Sequence, residues 1–142
     1  MEERLTCGKG LAENSVLPGK LGELAAAMAE NFEVHMWALD VNDPSSRREY
    51  DVYVQLANGQ RETAARLLAT ANEMAAARHL PMGRHEFTEA TNSHALAAFE
   101  KVVRLKQELA ALLQQTADRD QALLAQMRAA NGKNQSLPQE EP

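Results

Sequence analysis

Four histidines, His35, His79, His85 and His94, are the residues of this chain best suited to metal or acid–base chemistry near neutral pH. Helical di-iron proteins hold their metals with Glu-x-x-His pairs. Here the residues three positions before each histidine are Phe32, Ala76, Met82 and Thr91, so that pattern is missing. A His-Glu-x-x-His zinc motif is missing as well. Three histidines nevertheless gather around the connection at 80–92. His79, His85 and His94, with Glu86 as the carboxylate and Glu73 or Glu89 as substitutes, would suit a divalent metal such as Zn²⁺. The preferred reading is plainer. His79 closes a helix C-terminus, where a cation is favoured, and His94 sits in the first turn of another helix.

His35 stands apart from these three by ~40 Å of helical rise. With Trp37, Tyr50 and Tyr53, and with Glu33 nearby, it forms a second candidate, a ligand pocket. A histidine at the edge of an apolar stripe is more often a core residue with its hydrogen bonds met. Tyrosines there commonly bury the ring and keep the hydroxyl at the rim. Nucleophilic catalysis finds little support. Cys7 lies far from any placed histidine, and Ser93 and His94 point about 100° apart on a helix. Neither a Gly-x-Ser-x-Gly elbow nor a phosphate-cradling glycine loop is present. With no complete catalytic set, the sequence leans away from an enzyme.

The elements that position these residues are helices. Alanine, Leu, Glu, Gln, Arg and Met dominate the chain, aromatics make up 4%, and seven glycines and five prolines break it sparingly. A first helix is expected over about Lys20 to Asp40. Leu21, Leu24, Met28, Phe32, His35 or Met36, and Leu39 share one of its faces. Asp43 then Pro44 makes a good helix start, with Ser46 and Glu49 offering a competing capping box. The second helix is expected from Pro44 to His79. Its stripe of Tyr50, Tyr53, Ala57, Ala64, Leu68, Ala71 and Ala75 has Arg61 at its one polar break, and it keeps phase across Asn58-Gly59. That phase predicts one continuous helix. Pro81 and Gly83 stop it. The third helix is expected from Ser93 to Ala129, capped by Thr91, Asn92 or Ser93. Its polar stretch 114–121 interrupts an apolar face.

The fold expected is therefore all-α: an antiparallel bundle of three main helices, one short and two long. Residues 1–17 read as a flexible leader, 18–130 as the bundle and 131–142 as a disordered tail. By length, the first helix spans ~30 Å and each of the others ~55 Å. The far ends of the long pair are thus left uncovered. Either the leader or a second copy of the chain covers them, and the second copy is preferred, giving a homodimer that completes a bundle of four or more helices.

Composition bounds the partners. The 142 residues carry a net charge of −5, which disfavours nucleic acid and anionic membrane surfaces. No apolar run approaches the ~20 residues that span a bilayer. One cysteine permits no internal disulfide, and no secretory signal is apparent, so a cytoplasmic protein is expected. The function these features favour is a non-enzymatic, oligomeric helical protein of the adaptor or assembly kind. Metal binding around 79–94, or a small-molecule binder or enzyme built around His35, Tyr50 and Tyr53, are the rivals.

Overall fold

The computed structural model describes residues 7–80 and 88–136 of the chain. The described residues are all-α, with no strand among them. The chain divides into two units, residues 1–84 and residues 85–142.

In the first unit, α1 (Cys7–Asn14) and α2 (Val16–Ala38) lead to α3 (Pro44–Ala76), which ends in a 3₁₀ turn (Ala77–His79). Helix therefore occupies much of the 1–17 segment, where no apolar period predicts one. Pro18 explains the break between α1 and α2. A proline ring collides with the carbonyl four residues back, here that of Asn14, where α1 ends. Pro18 itself lies in the first turn of α2, where a missing N–H leaves no bond unmade. Ser15 bridges the break by donating its hydroxyl to the Ala12 carbonyl at 2.6 Å.

The hairpin turn obeys the sequence. Asp43 is the N-cap of α3, accepting the Ser46 backbone N–H at 3.2 Å and the Ser46 hydroxyl at 3.0 Å, and Pro44 opens the helix. This excludes the competing Ser46–Glu49 box, because Ser46 is already spent on Asp43. α3 passes Asn58-Gly59 without interruption. Only its last turn tightens, to 3₁₀, ahead of Leu80.

α2 and α3 are antiparallel along their lengths. Gly19 lies against Ala71, Gly22 against Ala64 and Leu68, and Phe32 against Tyr53. α1 meets α3 and the 3₁₀ turn beyond, burying Ala12 and Ala77. α1 and α2 in succession thus accompany α3 to its end. The expected mismatch between a short first helix and a long second is corrected: the first arm includes α1, hidden from a reading in which Gly8, Gly10, Pro18 and Gly19 counted only as breakers.

The seam of this hairpin is made of small residues. Gly22, Ala25 and Ala29 of α2 and Ala57, Ala64 and Ala71 of α3 are its buried positions. A Cβ added at Gly22 would sit 3.0 Å from Leu68 Cγ and 3.3 Å from the Ala64 carbonyl oxygen, so the two backbones approach closely. Among the described residues no large side chain is fully buried. Leu17, Leu24 and Met28, which share a face of α2, are exposed, as are Val52 and Leu56 of α3.

The second unit is described from Thr88 onward and consists of α4 (Glu89–Ser136), 48 residues and ~72 Å long. It begins one turn earlier than expected. Thr88 Oγ1 accepts the Thr91 backbone N–H at 3.2 Å, and the Asn92 N–H reaches the Thr88 carbonyl at 2.8 Å, so Thr88 is the cap. Glu89 adds an acidic residue where the helix dipole favours one. The polar 114–121 stretch stays helical, with Gln114 donating to Asp118 at 2.9 Å. The helix continues past Ala129 and Gly132 to Ser136.

Candidate functional site

The His35 group is partly assembled. His35 Nδ1 lies 2.8 Å from the Asn31 carbonyl oxygen, one turn back on α2. A carbonyl only accepts, so Nδ1 carries the proton and donates. The imidazole packs on Tyr53 with ring centroids 5.5 Å apart, and Tyr53 packs on Phe32 at 6.0 Å, both tilted. This is a small aromatic cluster where the two helices approach their turn. Tyr50, one turn earlier on α3, is half-buried.

Trp37 does not belong to that cluster. Two residues on from His35 it points about 200° away around α2. Its side chain is 72% exposed, and it lines an open depression with Ala26, Glu30, Glu33 and Arg61. The principal polar contact there is one the sequence did not pair. Arg61 places both Nε and Nη2 2.6 Å from Glu33 Oε1, joining α3 to α2. In the sequence Arg61 shows only as the polar break in the α3 stripe. A cation at a helix–helix seam calls for a carboxylate at the matching level, and Glu33 supplies it. The depression is wide and shallow; Glu33 and Arg61 pair within its lining, beside the carboxylates of Glu23 and Glu30. It offers no enclosed volume for a substrate.

The histidine set at the second connection draws on both units. His79 ends the 3₁₀ turn of the first unit and is exposed, and His94 is exposed in the second turn of α4, in the second unit. His85 and Glu86 lie outside the described residues, as do Pro81 and Gly83. Among the described residues no three His, Cys, Asp or Glu side chains are grouped to hold a metal ion.

Searches of protein-family models, curated proteins and solved structures find no match to this chain.

Its own surface therefore has to supply the site, and its most extensive feature is apolar. Along α4, Leu96, Phe99, Val102, Val103, Leu105, Leu112, Leu113, Leu123, Leu124 and Met127 are all exposed, Phe99 to 67%. Leu109 is the one large apolar residue of the helix that is half-buried. The hairpin adds Leu17, Leu24, Met28, Val52 and Leu56. Each unit, taken by itself, thus carries large apolar side chains on its surface among the described residues. Among the described residues, no helix is long and apolar enough to cross a membrane.

Proposed function

We propose that this chain is an assembly module: a non-enzymatic helical protein whose apolar rows are covered by further copies of itself, completing a bundle of four or more helices. One observation carries the reading. The fully buried positions among the described residues are alanine and glycine; Leu21, Phe32, Tyr53 and Leu67 are only half-buried, and many further leucines, valines and methionines are exposed. Burying an alanine methyl stabilises by under ~1 kcal/mol. Fixing each residue's backbone costs about 1–2 kcal/mol. A seam of small residues aligns two helices closely but does not offset that cost. Covering the exposed leucines, at about 1.5–3 kcal/mol for each one fully buried, does.

The chemistry of the candidate sites supports the same reading. The His35 cluster is an aromatic contact with its Nδ1 bond satisfied, and the Trp37 depression is open, with the Glu33–Arg61 ion pair in its lining. The net charge of −5 favours a protein surface over a phosphate backbone as partner.

Sedimentation equilibrium of the purified full chain tests the proposal. A dimer or higher oligomer at micromolar concentration is expected, with helicity falling on dilution as the oligomer dissociates. A compact, fully helical monomer that binds no hydrophobic dye would overturn it.

A further inference from the structure

The apolar face of α4 has a regular register with two charges set in it. Phe99, Lys106, Leu113, Asp120 and Met127 recur every seven residues, and Val102, Leu109, Thr116 and Leu123 follow by three. This is the spacing of a helix that packs along its length against another helix. Lys106 and Asp120 interrupt the first row, and both are exposed within the unit, which is described as this one helix. They lie seven residues to either side of Leu113, ~10.5 Å each way along the axis.

That symmetry selects an orientation. Two copies of α4 side by side, parallel and in register, would set Lys106 against Lys106 and Asp120 against Asp120. Like charges within a seam destabilise it. Two copies running antiparallel about Leu113 exchange the contacts. Lys106 of each copy then comes within one helical turn of Asp120 of the other, and the two-fold axis makes the pairing twice. The large and small ends also complement each other, since the Phe99 end of one helix meets the Met127–Ala130 end of its mate. We infer that α4 pairs with α4 of a second copy, antiparallel and centred on Leu113, with Lys106 and Asp120 setting direction and register. The inference rests on the assembly reading and specifies its contact. The flanking rows, Val103, Ala110, Ala117 and Leu124 on one side and Leu105 and Leu112 on the other, widen the face beyond what two helices cover. Further helices can therefore pack on the pair.

Cysteine crosslinking of the full chain reads the orientation. Cys7 is the sole cysteine, so Cys7→Ser provides the background for Phe99→Cys and Met127→Cys, which leave Lys106 and Asp120 in place. In the antiparallel pair, equal positions lie ~42 Å apart, beyond a disulfide or a short bismaleimide. The mixture of the two variants is expected to crosslink, and each variant alone is not. Charge reversal gives an independent check. Lys106→Asp or Asp120→Lys alone is expected to weaken association at least tenfold, and the double reversal to restore it. Self-crosslinking of either variant, or reversals without effect in a persistent oligomer, would overturn the pairing while leaving the assembly reading intact. A wild-type monomer by sedimentation would remove both.

Discussion

Two glycines on the hairpin carry opposite expectations. Gly59 is in mid-helix, and a Cβ added to it would meet nothing within 4 Å, so it contributes only the flexibility that destabilises a helix. Gly59→Ala is expected to stabilise by about 1 kcal/mol, a rise of roughly 4–8 °C in the thermal midpoint of a unit this size. Gly22 is the reverse, since its missing Cβ lets the Ala64 carbonyl and Leu68 approach. Gly22→Leu would force the helices apart, and a loss of about 1–3 kcal/mol in chemical denaturation is expected. At the turn, Asp43→Ala removes the side-chain acceptor from the Ser46 N–H and should cost about 1 kcal/mol in the same measurement. The Asp43–Pro44 start was legible in the sequence because capping is local: a few residues and one bond decide it. Gly22 and the Glu33–Arg61 pair were not. Both depend on which residues of α2 and α3 share a level, and level is fixed by packing across 28 or more positions of chain.

Element by element, periodicity served where large side chains mark a face. α3 was legible from end to end, and its continuity at Gly59 followed from the unbroken phase of the stripe. α1 was hidden because its glycines obscure the pattern, and because helix there is held by contact with α3 and the 3₁₀ turn rather than by local preference. The start of α4 differs by one turn because Thr88, Thr91, Asn92 and Ser93 can all cap, and only the folded backbone chooses among them. A peptide of residues 88–136, which keeps the Thr88 cap, tests whether α4 can order itself through self-association. Circular dichroism should show helicity that rises with peptide concentration over the micromolar range. Concentration-independent helicity would mean that the heptad rows do not pair in this segment.

For the molecule as a whole, the sequence made the helical class plain, since almost every residue type present favours it. It also showed a surplus of apolar surface. It did not show how little of that surface each unit buries by itself among the described residues. Reading lengths suggested an uncovered end, whereas the structure shows matched arms and exposed flanks. Stability and association are therefore expected to be one equilibrium. The thermal midpoint of the full chain should rise with protein concentration, as it does when the folded state is the oligomer. A midpoint unchanged over a hundredfold range of concentration would separate the two. The functional sites proposed from histidines were the least legible feature, because His, Tyr and Glu serve capping and packing as readily as chemistry.

Ala57, Ala64 and Ala71 are each buried, and each is seven residues from the next. A straight α-helix drifts ~20° over every seven residues, so the row turns by ~40° from Ala57 to Ala71. A left-handed winding of α2 and α3 about each other would remove that drift and is expected of this pair. The exposed rows along the hairpin must wind with them. Any helix that covers Leu17, Leu24 and Met28 inherits the same handedness, so the small residues at the seam set the twist of whatever is built outside it.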